Sequence, residues 1–316
     1  TGDNHDRSQE VFLLATDGSQ TRQLTDESAP NGGSVTQVAL SGDGQRVAFV
    51  ANTDPLGQNP DNLPQLFVVD SDATGLRQLT AAARGSFGQI SISDDGARVA
   101  FAHDGDLAGT NADGSQEVFA VLSDGSDLRQ LTDAPADRYA ARPALSGNGL
   151  TIAFEADADL TGGNSENYAE IFAVEWDGTN LRQLTETRTV LGVTGDPASQ
   201  FPSITDDGQK IVFFSNYSTL FTNFDGNFEI FEIGSDGSGL DNLTSTALEA
   251  GSFLPIVSGD GSRIAYLGVG ADIRLRVMNG DGGEDRGLIT YDLIFNEQPD
   301  IADDGTRAVF RQTTDL

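Results

Sequence analysis

Two short motifs recur along the chain, and their periodicity constrains the fold more than any other feature of the sequence. The tetrapeptide RQLT occurs four times and the relaxed forms DNLT and GLIT once each, beginning at Arg22, Arg77, Arg129, Arg182, Asp241 and Gly287. A turn that ends in glycine and leads into an apolar segment recurs with them, as in SGDGQRVAF. The glycines of these turns are Gly44, Gly96, Gly149, Gly208, Gly261 and Gly305. The chain therefore contains six repeats of about 50 residues each.

Each repeat contains four segments that predict β-strands. The first is apolar and ends at the glycine turn, as in QISIS (89–93), and the second follows that turn, as in RVAFA (98–102). After a longer polar loop come a third strand, such as VFAVL (118–122), a tight turn, and the fourth strand, LRQLT (128–132). Alternation of apolar and polar residues and the many β-branched side chains favour strands over helices throughout.

Six four-stranded antiparallel repeats in series predict an all-β fold, a six-bladed β-propeller, because this arrangement leaves only short, protected sheet edges. A sandwich or a solenoid is the alternative. The two ends of the chain complement each other, since VFRQTTDL (309–316) joined to TGDNHDRSQEVF (1–12) reproduces the pattern of residues 100–119. We therefore predict one domain, 1–316, whose ring is closed by a blade built from both termini. The predicted blades are approximately 35–80 (repeat 1), 88–132 (repeat 2), 141–185 (repeat 3), 200–244 (repeat 4), 254–290 (repeat 5), and 298–316 plus 1–25 (repeat 6).

The repeat resembles the WD-like repeat of the TolB-type β-propeller family. That family pairs a P-x-S-x-DG-x-x-IAF strand pair with EIF-x-x-x-DG-x-x-x-RQLT, and its proline corresponds to Pro143, Pro202, Pro255 and Pro299. The resemblance covers the whole chain and implies a periplasmic or secreted bacterial protein. The sequence shows neither the α/β domain of TolB itself nor the hydrolase domain of related peptidases, so the resemblance implies a propeller that acts alone.

The charge of the chain excludes several classes of partner. Asp and Glu outnumber Lys and Arg by 49 to 18, for a net charge of −31, and Lys210 is the single lysine. Nucleic acids and anionic membranes need clustered basic residues, so we expect neither as a partner. No apolar run reaches the roughly 20 residues of a membrane-spanning helix, so we expect no membrane insertion. The absence of Cys excludes disulfides and thiolate metal sites. We expect a monomer.

The loops between the second and third strands share a second pattern, an Asn, then an acid two residues later, then Glu or Gln four residues further. The sets are Asn4, Asp6 and Glu10; Asn59, Asp61 and Gln65; Asn111, Asp113 and Glu117; Asn164, Glu166 and Glu170; and Asn223, Asp225 and Glu229. An aspartate precedes most of them, at Asp54, Asp106, Asp159 and Asp315. Repeat 5 keeps Asp272 and loses the rest.

This pattern predicts Ca²⁺ binding at several of these loops. Calcium takes six to eight oxygen ligands from carboxylates, amide carbonyls and the backbone. Without a cation, repulsion between two or three carboxylates within a Debye length would oppose ordering of each loop. Two other interpretations stay open. Asn and Asp form Asx turns with their own backbone while the Glu caps a neighbouring loop, or the acidity is a salt-adapted surface.

Two further regions are candidate binding sites. Backbone carbonyls of the first strands would line the central channel of a propeller, where they could coordinate a cation. Aromatic residues near the start of the first strands would surround the channel mouth and could bind a protein, a peptide or a glycan. They are Phe87, Tyr139, Phe201, Phe253 and Phe295, and the alternative is that they cover the ends of the core. The arginines of RQLT are expected to protect the outer sheet edge.

Signals of catalysis are weak. The two histidines, His5 and His103, lie in polar segments and are expected to be solvated. No G-x-S-x-G elbow and no glycine-rich phosphate loop before a helix occurs. The sequence therefore predicts a non-catalytic binding or scaffold propeller, with a carbohydrate-active propeller that uses two carboxylates as the alternative.

Overall fold

The computed structural model describes residues 9–26, 34–187, 196–217, 223, 226–246, 250–291 and 299–309. Within these ranges every regular element is a β-strand, 24 in all, and no α-helix occurs. Accordingly, the described residues contain no helix that could cross a membrane. The all-β prediction is confirmed.

The strands form five four-stranded antiparallel sheets and two hairpins. The hairpins are β1 (Phe12–Leu14) with β2 (Thr21–Gln23), and β23 (Asp300–Ile301) with β24 (Ala308–Val309). The sheets of repeats 1 and 2 are β3 (Val35–Leu40), β4 (Arg46–Ala51), β5 (Gln65–Asp70) and β6 (Arg77–Gln78), then β7 (Phe87–Ile92), β8 (Arg98–His103), β9 (Glu117–Leu122) and β10 (Arg129–Gln130). Those of repeats 3 and 4 are β11 (Ala140–Leu145), β12 (Thr151–Ala156), β13 (Glu170–Glu175) and β14 (Arg182–Gln183), then β15 (Ser199–Ile204), β16 (Lys210–Ser215), β17 (Glu229–Gly234) and β18 (Asp241–Asn242). Repeat 5 forms β19 (Gly251–Val257), β20 (Arg263–Val269), β21 (Ile273–Asn279) and β22 (Arg286–Tyr291), so four strands per repeat are confirmed for five repeats.

The chain divides into two compact units, residues 1–143 and 144–316. In the first, one apolar cluster joins consecutive sheets, because Val50 and Leu66 of repeat 1 pack with Ile90, Ile92 and Phe101 of repeat 2. In the second, equivalent clusters join repeats 3 and 4 and repeats 4 and 5. Within each unit, consecutive sheets therefore bury apolar faces against each other.

A pair of phenylalanines stacks across the second and third strands of four repeats, with ring centroids 5.4 to 5.8 Å apart. The pairs are Phe49–Phe67, Phe101–Phe119, Phe154–Phe172 and Phe213–Phe231. In repeat 5 the corresponding cross-strand pair is Tyr266 and Arg276. Repeat 5 thus replaces an apolar pair at the centre of the sheet with a polar one.

Aspartates fix the tight turns of every repeat, which accounts for much of the acidic excess. The carboxylate of Asp43, for example, accepts hydrogen bonds from the hydroxyl of Ser41 and from the backbone N–H of Gln45. The same bond to the N–H two residues later occurs at both turns of each repeat, at Asp17, Asp72, Asp95, Asp124, Asn148, Asp177, Asp207, Asp236, Asp260, Asp281 and Asp304. These are Asx turns. Hydrogen bonds from Ser93 and Ala97, for instance, lower the pKa of Asp95.

The first strands of repeats 3 to 5 contain a local distortion before a proline. Arg142, Phe201 and Leu254, each directly before a proline, have φ angles of 53°, 56° and 52°. The pairing register shifts between Gln200 and Ser203 and between Phe253 and Ile256. A left-handed bulky residue before proline is strained. The bulge interrupts the two-residue alternation, so side chains in these strands do not face the sides that alternation predicts.

The arginines of RQLT connect consecutive repeats. Arg22 donates to the carbonyl of Ser71 at 2.8 Å, and Arg182 donates to the carbonyl of Ser235 at 2.5 Å. Arg77 donates in the same way to the carbonyl of Asp124. Each acceptor lies in the turn before the fourth strand of the following repeat. The prediction that these arginines serve edge protection is therefore too narrow, because they also hold neighbouring sheets together.

Candidate functional site

The Glu or Gln that begins the third strand bonds to the Thr of RQLT fifteen residues later. In repeat 2 the carboxylate of Glu117 accepts hydrogen bonds from the hydroxyl of Thr132, the N–H of Ala134 at 2.7 Å and the hydroxyl of Ser115 at 2.6 Å. We call this arrangement the Glu–Thr clamp. It recurs in the pairs Glu10–Thr25, Gln65–Thr80, Glu170–Thr185 and Glu229–Thr244.

The clamp residues are buried and their acceptor oxygens are occupied. Gln65, Glu117, Glu170 and Glu229 are all at most 2% exposed. Burial raises the pKa of Glu117 and of Glu170, and the hydrogen bonds from the threonines oppose that rise. The Thr hydroxyl in turn accepts a bond from the backbone N–H of the residue after the clamp acid, as from Val118 to Thr132. The geometry therefore assigns these acids a structural role within each sheet.

The loop asparagines are also buried, and they hold the loop backbone. In the loop of repeat 1 the N–H of Asn59 donates to Asp54 at 2.6 Å, its amide donates to the carbonyl of Leu63 at 2.8 Å, and its amide oxygen accepts from the N–H of Leu63. In the loop of repeat 3, Asn164 makes the same bonds with Asp159 and Tyr168. These contacts are those of the Asx-turn interpretation.

The loop of repeat 2 differs because its predicted ligands converge. The hydroxyl oxygen of Ser115 lies 3.0 Å from the amide oxygen of Asn111, 2.9 Å from a carboxylate oxygen of Asp113 and 2.6 Å from a carboxylate oxygen of Glu117. Asp106 accepts a bond from the N–H of Asn111 at the start of this loop. Asp113 is exposed, while Asn111, Ser115 and Glu117 are buried. All three members of the predicted set thus meet at one atom.

In the loops of repeats 1 and 3 the structure brings no such set together. Leu63 and Tyr168 occupy the position of Ser115, so no hydroxyl links the Asn, the acid and the clamp residue. The intervening acids, Asp61 and Glu166, are exposed. In repeat 4, Asn223 donates to the carbonyl of Asn227 at 2.7 Å. The remaining predicted ligands, Asn4, Asp6, Asp225 and Asp315, lie outside the described residues.

The aromatic residues predicted at the channel mouth are half-buried and pack on other rings. Phe87 lies 5.5 Å from Phe101, centroid to centroid, and Phe201 lies 5.4 Å from Phe214. Phe253 also contacts Phe214, at 5.6 Å. Tyr139 is half-buried, and Phe295 lies outside the described residues. Phe87, Phe201 and Phe253 therefore cover the core, and partner binding through these aromatic residues stays a prediction.

His103 is buried, so the expectation of a solvated histidine is wrong for this residue. Its Nδ1 accepts the N–H of Gly105 at 2.8 Å, and the ring of Phe87 lies 4.4 Å away. Burial lowers the pKa of His103. The side chain ends β8, where alternation directs it toward the core between sheets. His5 lies outside the described residues.

Glycine and aspartate alternate from one repeat to the next at the first turn, and the sequence patterns above did not reveal this. The position before the turn Asp or Asn is occupied by Gly42, Asp94, Gly147, Asp206, Gly259 and Asp303. A Cβ at Gly42 would overlap the carboxylate of Asp94, and a Cβ at Gly259 would overlap that of Asp206. Within the second compact unit, carboxylate oxygens of Asp206 and Asp303 lie within 4.8 Å of each other. At Gly42 and Gly259, glycine is thus required because an aspartate of a neighbouring repeat fills the space that a Cβ would take.

No protein-family model and no curated protein matches the sequence. Three solved structures are similar in fold. A putative TolB from Agrobacterium tumefaciens is 18% identical with a TM-score of 0.59, over 96% of this chain and 98% of that one. TolB from Acinetobacter baumannii is 18% identical with a TM-score of 0.51, over 88% of this chain and 61% of that one. An oligogalacturonate lyase in complex with manganese is 15% identical with a TM-score of 0.61, over 95% of this chain and 78% of that one. At these identities the likeness shows the fold alone, and that fold is the TolB-type β-propeller.

Proposed function

We propose that this chain is a non-catalytic binding propeller that holds Ca²⁺ in the loop of repeat 2. The observation that carries the calcium assignment is the crowding of three acceptor oxygens around the hydroxyl of Ser115, at 2.6 to 3.0 Å. A hydroxyl has one hydrogen, so it cannot satisfy Asn111, Asp113 and Glu117 together. A cation would attract all four oxygens at once.

The spacing of these oxygens suits calcium. When ligand oxygens lie 2.3–2.6 Å from Ca²⁺, neighbouring ligands are themselves about 3 Å apart. The three distances to Ser115 lie close to that value. The exposed Asp113 would face the ion from the solvent side, while water would supply the remaining ligands.

Oxygen chemistry also favours calcium over softer metals. A lyase of the same fold is known in complex with manganese, so divalent metal binding is compatible with this architecture. This chain has two histidines and no cysteine, and amide and carboxylate oxygens are the donors that the loop offers. Such donors suit Ca²⁺, Mg²⁺ and Mn²⁺, and Mg²⁺ requires a stricter octahedron at shorter distances.

Calorimetric titration of chelator-treated protein with Ca²⁺ tests the proposal. At about 0.15 M salt, where diffuse attraction to the acidic surface is screened, we expect one saturable site. Asp113→Asn should weaken it strongly, because a charged ligand becomes a neutral one. Asp61→Asn is the matched control, since it changes the same position of the loop in repeat 1, where no oxygen set forms.

A titration without saturation, or one in which Asp113→Asn and Asp61→Asn behave alike, would reject the calcium site. Mg²⁺ should bind more weakly than Ca²⁺ in the same titration. Tighter binding of Mg²⁺ would reject calcium as the ion. Circular dichroism of each variant reports folding separately, so a loss of calcium binding can be told apart from a loss of structure.

The closed ring is the second part of the proposal, and the exposure of β3 supports it. Val38 and Leu40 are 56% and 50% exposed, whereas the corresponding Ile90 and Ile92 of repeat 2 are 6% and 8% exposed beneath repeat 1. In repeats 4 and 5 the residues that correspond to Leu40, Ile204 and Val257, are buried as well. We propose, as the sequence predicts, that a blade built from both termini closes the ring, because residues 307–316 match the second strand of a repeat in sequence.

A double-mutant cycle tests this closure. If both termini complete the ring, deletion of residues 310–316 and Leu40→Asp should each lower the free energy of unfolding by about 2–3 kcal/mol, and together by less than the sum. Leu288→Asp, at a side chain of 51% exposure, is the control and should have little effect. Additive effects, or no effect of Leu40→Asp, would reject a ring closed in this way.

The partner of the propeller is proposed only as a class. The resemblance and the acidic surface support a periplasmic or secreted protein that binds a protein, a peptide or a glycan. Pull-down from an extract with and without chelator would separate a calcium-dependent surface from a calcium-independent one. Capture that is identical in both conditions would assign calcium a purely stabilising role.

A further inference from the structure

Repeat 5 departs from the other repeats in the connection between its second and third strands. The other four sheets use loops of thirteen residues there, 52–64, 104–116, 157–169 and 216–228. Repeat 5 uses three, Gly270 to Asp272. In place of a long loop there is a cavity of about 490 Å³, lined in part by Thr246, Ser252, Gly270, Arg274, Arg276 and Asp285. This volume is within the usual range of small-molecule sites.

The corresponding cavity in repeat 4 has no basic side chain in its lining and is less polar than that of repeat 5. It measures about 460 Å³ and is lined by Phe213, Phe231 and Ile233, among others. In repeat 5 the positions of the two phenylalanines hold Tyr266 and Arg276. Similar cavities on one scaffold therefore differ in chemistry, and the polar one contains two of the chain's seventeen arginines.

Both arginines are held in place by carboxylates. Arg274 donates to Asp272 through Nε and Nη2, the closest bond being 2.7 Å. Arg276 donates to Asp285 through the same two nitrogens, and its Nε also donates to the hydroxyl of Tyr266. These two-point contacts fix the plane and direction of each guanidinium. Among the described residues none accepts a hydrogen bond from Nη1 of either arginine.

The two free Nη1 groups point at one spot. Arg274 and Arg276 are two residues apart on β21 and so lie on the same face of the sheet. A Cβ at Gly287, on the adjacent β22, would lie 3.7 Å from Nη1 of each. Arg276 lies flat over Gly268, where any Cβ would overlap its Cδ. Glycines on the two flanking strands therefore make room for the two arginine side chains beside the cavity that both arginines line.

We propose that this pair of arginines binds a small organic anion through a carboxylate group. Two orientated guanidinium N–H groups provide planar, charge-assisted donors that match the two oxygens of a carboxylate. Asp272 and Asp285 balance the charge of the arginines, so recognition depends on directed hydrogen bonds rather than on net charge. In a chain of net charge −31, an anion would find few other positions that favour it.

Titration with succinate, followed by amide chemical shifts of the full chain, tests this inference. We expect saturable shifts in 268–276 and 285–288. Arg274→Gln should weaken binding about tenfold or more, because it removes a charge-assisted donor pair. Gly287→Val should also abolish binding without changing any charge, because its side chain would crowd Cδ of Arg274 and Nη1 of both arginines. Arg286→Gln, at an exposed arginine on the same strand as Gly287, is the control and should bind succinate like the parent.

Inorganic phosphate is the second probe. A preference for phosphate over succinate would overturn the assignment to a carboxylate. Absence of saturable shifts, or shifts that survive both Arg274→Gln and Gly287→Val, would overturn the site itself. If Arg274→Gln does not fold, Gly287→Val alone decides, because it keeps every charge. The site is formed by residues of repeats 4 and 5 and shares none with the loop of repeat 2, so neither result bears on calcium binding there.

Discussion

The loops of repeat 2 (104–116) and repeat 3 (157–169) have the same length and the same anchoring residues, but they differ in what they could bind. Both place a buried Asn whose amide donates to a backbone carbonyl four residues later, at 2.8 Å, and both lead into a Glu–Thr clamp. At that fourth residue, repeat 2 has Ser115 and repeat 3 has Tyr168. One hydroxyl therefore decides whether the loop gathers oxygens or closes on its own backbone.

Besides the RQLT threonine and a backbone N–H, the clamp acid accepts a hydrogen bond from one more hydroxyl, and the source of that hydroxyl differs between the two repeats. Glu117 receives it from Ser115 inside the loop, whereas Glu170 receives it from the hydroxyl of Thr187 on the opposite side, at 2.7 Å. In repeat 2 the loop and the clamp are thus directly joined, while in repeat 3 they are independent. The proposed ion site therefore depends on the residue beside a clamp that both repeats share.

The largest expected effect comes from removing the clamp that both repeats share. Glu170→Ala leaves the hydroxyl of Thr185 and two donors of Thr187 buried without an acceptor, so we expect a loss of about 3 kcal/mol or more in the free energy of unfolding. Glu170→Gln should cost far less, because repeat 1 uses Gln65 at this position with the same partners. Urea unfolding measures both. Equal losses for Ala and Gln would contradict the clamp.

A smaller loss is expected from the shared asparagine. Asn164→Ala removes the acceptor of the N–H of Tyr168 and the donor to its carbonyl, which should cost about 2 kcal/mol. Asn111→Ala in chelator should cost a similar amount, since the scaffold is the same. Urea unfolding curves of the two variants compare these two losses of stability directly. A loss confined to one repeat would show that the loops are not equivalent scaffolds.

Sequence reasoning predicted the scaffold but left the roles of single residues between alternatives, for a reason visible in these residues. The strand order and turn glycines follow from local rules of periodicity and φ. The Glu of the loop pattern looked like a metal ligand because its partner Thr lies on another strand. The spacing of fifteen residues between them is constant in five repeats, so the signal existed as a recurring pair. Alternation alone could not decide between binding and core covering for Phe201 and Phe253, because the pairing register of their strands shifts beside Pro202 and Pro255.

Transferring the hydroxyl should transfer the ion site. Tyr168→Ser with Glu166→Asp gives repeat 3 the same set of side chains as repeat 2, and we expect a second calcium site in titration calorimetry. At a calcium concentration 100 times its dissociation constant, a new site would stabilise the protein by about 2.7 kcal/mol, less the packing lost with Tyr168. Glu166→Asp alone is the control and should add no site. A double variant without new calcium binding would show that Ser115 is not what distinguishes the loops.

The smallest expected effect is a pH dependence confined to the clamp of repeat 3. Burial raises the pKa of Glu170 above its ordinary value, so the folded state binds this proton more tightly than the unfolded chain does. The resulting stabilisation is fully present below the ordinary pKa and is lost as the pH rises through the raised one. The difference in unfolding free energy between the parent and Glu170→Gln should therefore move in favour of the parent as the pH falls from 7 to 4. Calcium should leave that trend unchanged, because the proposed ion contacts Glu117 and not Glu170. A trend of opposite sign would mean that the hydrogen bonds to the carboxylate of Glu170 affect its pKa more than burial does.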